Sequence, residues 1–402
     1  MSMNCRICNS TDLDMVIDLG NQPWCNHFLT EEEVGKEPFY PLQVMYCNHC
    51  ATTQLNYTVK KEIMFGNHTY LSGVTKSLSE HFKNIAHEVD ELYFKHTEGK
   101  SMLDIGSNDG TQIRHFKDLG YDIVGVESSV TTSKIANDNG LHTINNFFNY
   151  DLVKGLNRKF DIINASGVFF HLEELHSVTK GIKFALKDDG VFVVQFLYMR
   201  RIVENMAFDQ IYHEHLLYYN LKNLETLLNM YGLEIFDAYL ANIHGGSMIA
   251  HVSHRGHRHK TARLLNELKE EETSGCNTQQ YYLDFADRIK KMKEENVAFF
   301  KECKKHGKKV WGMGAPVKGN TLLNYFGMGT EYIEYLVEKN ELRKGLYSPG
   351  QHIPIVIEKE MTTLPDVYYV LAWNFKKEIL ANNQDLISKG VEFYFPINPK
   401  EN

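Results

Sequence analysis

The chain has 402 residues, 43% hydrophobic and 23% charged, with a formal net charge of -8. That length predicts two or three domains whose cores need no disulfide staples. The acidic balance argues against a generic nucleic-acid binder, and the nearest basic blocks, 255–260 and 304–309, are short.

The first ten residues, MSMNCRICNS, lack an apolar core behind a basic start, so no secretory leader is expected and the cytoplasm is the default compartment. No apolar run approaches the roughly 20 residues of a membrane span. Residues 1–65 are turn-rich and hold two CxxC pairs, Cys5 with Cys8 and Cys47 with Cys50. In a reducing compartment such pairs read as metal ligands before disulfides. Four thiolates at tetrahedral corners suit structural Zn2+, and a metal so enclosed cannot bind substrate. Its role would be to fold a segment too small to bury its own core. Cys25 is spare, His27 and His49 are possible substitutes, and four free thiols are the alternative.

Residues 66–100 read as helical and polar. Strand-like runs then alternate with helical runs at 102–105, 122–127, 161–166 and 190–196, which predicts parallel strands joined by crossover helices. The first strand leads into a glycine loop, MLDIGSNDGTQIRHF, built of Gly106, Ser107, Asn108, Asp109 and Gly110. The loop is not GxGxxG, so the dinucleotide fingerprint is not met. Asp104 closes the first strand, and Glu127 closes the second, where a carboxylate can accept the hydroxyls of a ribose. Adenosine without a pyrophosphate needs fewer glycines than a dinucleotide. The pattern resembles the class I S-adenosylmethionine methyltransferases. By that analogy Asn164 meets the methionine and adenine parts of the cofactor, and Asn146 and Phe147 lie near the adenine.

The segment FDQIYHEHLLYYN packs Tyr212, His213, Glu214, His215, Tyr218 and Tyr219 into eight positions. On a helix Tyr212 and His215 would share a face at i, i+3. A histidine can move a proton near neutral pH, and a tyrosine can hydrogen-bond an enolate oxygen. A polar interface and a metal site on His213 and His215 are the other readings. From 254 to 309 the chain is charge-rich, with Leu283, Ile289, Met292, Phe299 and Cys303 at helical spacing, either as a bridging helix or as a plain surface helix. Strand-like runs resume at 310–314, near Tyr335, at 367–373 and at 393–397, making a second α/β unit. Its loop from Gly312 to Asn320 is expected to face the central domain, with Lys318 as a phosphate ligand, the alternative being a structural turn with an exposed lysine.

Several strings occur in one order along nearly the whole chain: a CxxC pair at each end of the first segment, DIGSNDG, IYHEH, HGGS at 244–247, KGNTLLNYFG at 318–327, PGQHIPI at 349–355 and LAWNF at 371–375. That order resembles the zinc-containing sugar C-methyltransferases, which methylate carbon 3 of a nucleotide-linked 4-keto deoxysugar. The resemblance implies an α/β fold in three parts. They are a zinc-binding segment (1–65), a central Rossmann-like class I methyltransferase domain (66–300) and a second Rossmann-like α/β domain that helps hold the substrate (301–402). It implies S-adenosylmethionine and structural Zn2+ as cofactors and a TDP-, GDP- or CDP-linked sugar as partner. It further implies His215 as the base, with Tyr70, Tyr212 and His171 lining the sugar site, and Glu214 and Asn205 as weaker carry-overs. Gly319, Asn320 and His352 fall in the matching C-terminal strings and are taken as substrate contacts with Lys318. Competing readings are a zinc-ribbon RNA methyltransferase and an inactive nucleotide-sugar binder.

Overall fold

A computed structural model describes residues 3–65, 71–74, 76–243 and 245–398. Tyr70 and His244 lie outside the described residues. Three sheets organise the chain. The first is antiparallel, with Leu13–Pro23 paired to Phe39–Cys47 and then Thr53–Leu55. Its pattern has period two, since Leu42, Val44 and Tyr46 alternate inward along the second strand. The fourth strand of this sheet, Leu217–Tyr218, comes from the middle of the chain and pairs with Thr53 and Gln54. The sequence motif FDQIYHEHLLYYN is thereby stitched to the N-terminal segment.

The central sheet runs Thr143–Asn145, Asp122–Glu127, Ser101–Ile105, Phe160–Ser166, Leu186–Leu197, Ser247–His254, Leu233–Ala241. Counted in chain order this is 3-2-1-4-5-7-6, with the first five strands parallel and the last two an antiparallel hairpin. Ser101–Ile105 is buried at every position, as expected of a parallel strand covered by helices on both faces. Helix Lys76–Val89 covers part of one face through Leu78, Phe82, Ile85, Ala86 and Val89. The strand order reverses between Ser101–Ile105 and Phe160–Ser166, so the loops leaving those two strands open a crevice where α/β sheets bind ligands.

Two helices, Ala262–Ser274 and Gln279–Lys305, lead to the last part. The second buries Tyr282, Phe285, Ile289, Asn296, Phe300 and Cys303. Ile289 and Cys303 of the face read from the sequence are buried, while Leu283, Met292 and Phe299 flank it half-buried. This helix packs on both Leu13–Pro23 and helix Val317–Phe326, and so bridges the first and last parts. The third sheet is parallel throughout, in the order Ile355–Ile357, Leu336–Glu338, Val310–Met313, Val367–Val370, Glu392–Tyr394. Among the described residues no helix is long and apolar enough to cross a membrane.

Candidate active site and metal centre

The two CxxC knuckles have the same backbone. Cys5 N donates to Ser10 O and Asn9 N to Cys5 O, as Cys47 N does to Thr52 O and Ala51 N to Cys47 O. Asn9 and Ala51, at matching positions, both take positive φ, 61° and 60°. The four Sγ atoms lie within 4.8 Å of one another, with Cys5–Cys50 and Cys8–Cys47 at 3.5 Å. A tetrahedral zinc with Zn–S of about 2.3 Å needs S···S edges of about 3.8 Å, so the donor set fits the ion. Cys25 is buried apart from this group, and His27 pairs with Glu33. The protein is a structural-zinc protein at this site.

The glycine loop leaves the first central strand at Gly106, whose φ is +71°. A Cβ there would lie 2.9 Å from Val168 Cγ2, so glycine is required for the two loops to approach. Glu127 reaches back from the next strand: Oε2 accepts Asn108 N at 2.9 Å and Oε1 accepts Ser129 N at 2.7 Å. Burial pushes this carboxyl up against those donors. Asn108 and Asp109 in turn accept the backbone N–H groups of Ser72 and Gly73. Asn146, exposed beyond the third strand, donates its N–H to Glu127 O. Gly106, Ser107, Asn108, Asp109, Gly110 and Glu127 thus converge on one cradle. Asp104 and Asn164, on the adjacent strands, are buried and bonded to each other. Asn164 is fully buried, donates to Asp104 Oδ1 at 2.6 Å and accepts from Gln112 Nε2 at 3.3 Å. Burial pushes the Asp104 carboxyl up to about 7.

Residues 211–216 are a turn rather than a helix, closed by His215 N donating to Tyr212 O at 2.9 Å. The turn keeps the i, i+3 partnership, with Tyr212 and His215 ring centroids 3.8 Å apart. His215 is 3% exposed and its Nδ1 lies 2.7 Å from Gln210 O. His171 Nδ1 lies 2.6 Å from Glu214 O. A carbonyl only accepts, so each neutral ring carries its proton on Nδ1 and keeps Nε2 as its basic nitrogen. The two rings are 5.2 Å apart by centroid. His213 turns the other way, edge-on to Tyr40, and burial pushes its imidazole down to about 4. Among the described residues the four cysteines form the sole metal-sized ligand group. The Glu214 side chain leaves the turn for the N-terminal segment, where Oε1 accepts Trp24 Nε1 at 2.8 Å and Asn26 Nδ2 at 3.0 Å.

The remaining sequence-derived residues have partners within the protein. Asn205 Nδ2 donates to Gly245 O of the HGGS turn. Lys318 Nζ lies 3.8 Å from Asp209 Oδ2 and 4.0 Å from the Trp373 ring centroid, so a buried carboxylate already draws on its charge. Gly319 lets its helix approach Leu371, where a Cβ would come within 3.2 Å of Leu371 Cβ. Asn320 Nδ2 donates to Cys25 O at 2.7 Å, and His352 Nε2 lies 2.6 Å from Glu37 Oε1. Sequence reasoning missed Gln112, Val168, Asp209, Trp24 and Asn26. Their importance comes from partners up to 190 positions away, a relation that no local motif carries.

A 3-2-1-4-5-7-6 sheet with a glycine cradle and an acid closing its second strand defines a class I S-adenosylmethionine-dependent methyltransferase. Comparison with known proteins is specific. Residues 5–65 match a zinc binding domain family, 78–238 a methyltransferase domain, and 242–398 the C-methyltransferase C-terminal domain. C-methyltransferase NovU of Streptomyces niveus is 30% identical over 399 residues, covering 98% of this chain and 95% of that protein. The chain belongs to this family of zinc-containing C-methyltransferases. A ribosomal protein L11 methyltransferase of Dictyoglomus turgidum is 30% identical over 118 residues, 29% of this chain and 38% of that one. The CcbJ methyltransferase from Streptomyces caelestis shares 14% identity with a TM-score of 0.35, covering 44% of this chain and 90% of that one, and adds nothing to the assignment at that score.

Proposed function

We propose that this C-methyltransferase moves a methyl group to carbon 3 of a nucleoside-diphosphate-linked 4-keto deoxysugar through an enolate, with His215 as the base. S-adenosylmethionine supplies the electrophilic methyl group when bound. The 4-keto group acidifies the hydrogen on carbon 3, and His215 Nε2 takes that proton. The Gln210 carbonyl, on Nδ1–H, sets the tautomer this requires and shares the charge that develops on the imidazolium. Tyr212, whose hydroxyl is pushed well up by burial and by Glu214, stays protonated and can donate to the enolate oxygen. The protein's remaining work is alignment of two bound substrates. Tyr70 is assigned to the sugar site on the family pattern alone. Lys318, Asn320 and His352 would act on the nucleotide end, from the part of the chain assigned to 301–402.

One observation carries the reading. Val168 packs against Gly106 of the cofactor cradle, and His171, three residues on, lies against His215. The stretch 168–171 thus links the glycine loop to the His171–His215 pair, which supports a base close to the cofactor. Deuterium exchange at carbon 3, followed in a panel of 4-keto nucleotide sugars without methyl donor, isolates proton removal. His215→Asn should slow exchange and turnover by ~10²–10⁴ while both ligands still bind. Normal exchange in that variant, with loss in His171→Asn or Tyr212→Phe, would move the base elsewhere. A panel in which no sugar gains a methyl group would refute the substrate class.

A further inference from the structure

Glu214 is 5% exposed, and among the described residues no lysine or arginine forms an ion pair with it. Its stabilising contacts come from outside its own turn. Trp24 Nε1 and Asn26 Nδ2 both donate to Oε1, and Asn320 Nδ2 fastens the intervening Cys25 carbonyl at 2.7 Å. Trp24 directly follows the strand Leu13–Pro23, whose ribbon partner is Phe39–Cys47. Leu13 pairs with the zinc ligand Cys47 at one end of that ribbon, and Pro23 pairs with Phe39 at the other. The ribbon therefore has the metal knot at one end and the Glu214 donors at the other.

Among the described residues two titratable side chains feel the charge of this carboxyl, Tyr212 and Cys25, and a third group, His171, meets the backbone of the same residue. Tyr212 belongs to its own turn, Cys25 sits between the two donors, and His171 holds the Glu214 backbone carbonyl through Nδ1. Burial and the Glu214 charge push both the Tyr212 hydroxyl and the Cys25 thiol well up, so both stay neutral. Burial holds the Glu214 carboxyl above its ordinary range, and the indole and amide donors limit that rise by favouring the anion.

We propose that Trp24 and Asn26 are positioning residues of the methyl-transfer site, carried in by the zinc-bearing segment to hold the Glu214 carboxylate as an anion beside Tyr212. An anion one residue from His215, in a pocket of low dielectric, favours the imidazolium that forms when the base takes its proton. The link to proton removal rests on the His215 reading above; the grip on Glu214 does not.

The test uses the full-length zinc-loaded protein. Infrared difference spectra across pH locate the Glu214 carboxyl as the band absent from Glu214→Gln. Trp24→Phe keeps the ring against His27 and removes one donor, and Asn26→Ala removes the other. Losing a donor to an anion raises the acid's pKa, so the band should titrate about one pH unit higher in each variant. The acid limb of kcat should move to higher pH by the same amount, with KM for S-adenosylmethionine unchanged. A carboxyl that titrates at the wild-type pH in both variants overturns the proposal. A carboxyl that moves while the acid limb stays fixed also overturns it, because the contact would then be a latch between segments and nothing more. The infrared readout needs no sugar, so a wrong substrate assignment leaves it interpretable.

Discussion

Two strand–glycine–helix turns in this chain are closed by matching hydrogen bonds. In the central sheet Gly106 N donates to Val126 O at 2.8 Å, and Glu127 accepts Asn108 N and Ser129 N. In the last sheet Gly314 N donates to Val337 O at 2.8 Å, and Glu338 accepts Ala315 N at 2.8 Å and Asn340 N at 3.0 Å. Both glycines have positive φ. The difference lies in what surrounds the acid. Glu338 also accepts Lys339 N and has Arg343 Nη1 at 3.7 Å, so its lone pairs and its charge are spent within the turn. Glu127 forms no ion pair among the described residues and is pushed up by burial. Beneath the turns the contrast repeats: Asp104 faces Asn164 across the first pair of strands, whereas at the same register the second has Gly312 and Tyr369. The same backbone device closes both turns, and the two acids differ in that Glu338 has a cation beside it while among the described residues Glu127 has none.

Substituting the two acids tests this contrast most strongly. Glu127→Ala should weaken S-adenosylmethionine binding by about ten- to a hundredfold in calorimetry, the worth of a lost charge-assisted hydrogen bond of ~1.5–3 kcal/mol. Glu338→Ala should leave that affinity unchanged and lower the denaturation midpoint instead. Equal losses of affinity in the two variants would erase the distinction.

The two glycines should differ less. Gly106→Ala combines a positive φ with a Cβ 2.9 Å from Val168, and should cost about 1–3 kcal/mol of stability along with cofactor affinity. At Gly314 the nearest atom to a new Cβ is Pro316 Cδ at 3.5 Å, an ordinary contact, so only the φ cost of roughly 1–2 kcal/mol remains. Urea denaturation of the cofactor-free protein measures both; a Gly314→Ala loss exceeding that of Gly106→Ala would contradict the packing argument.

The last effect is a pH slope. Asp104 is raised from 3.8 to about 7 in the fold, so the native state holds a proton that the unfolded state has released between those values. Stability should then fall as pH rises through that window, by at most about 1.4 kcal/mol per pH unit from this group. Asp104→Asn should flatten that part of the stability–pH curve, and an unchanged slope would assign it to other groups.

Much of this architecture is legible along the chain because its causes are local. Alternating apolar runs mark the parallel strands, since a strand buried on both faces is apolar throughout. The CxxC pairs mark the metal, since each knuckle is a self-contained turn. The hairpin Leu233–Ala241 and Ser247–His254 was not foreseen. Its second strand is buried at every position between two others, which removes the alternation that would announce it. The His215 turn was read as a potential helix because i, i+3 spacing is shared by helices and tight turns.

The sequence by itself determined the zinc knot, the glycine cradle with its acid, the tandem α/β order and the family, because each rests on residues close in the chain or on motifs kept in one order. Only the tertiary structure decided how those parts meet. It paired Asn164 with Asp104 and Lys318 with Asp209, and brought Trp24 and Asn26 onto Glu214. Such pairings follow from which segments the fold brings side by side, within a sheet for Asn164 and between segments for Trp24 and Asn26. Burial then makes each polar group find a partner from whichever segment lies nearest in space, and distance along the chain says nothing about which segment that is.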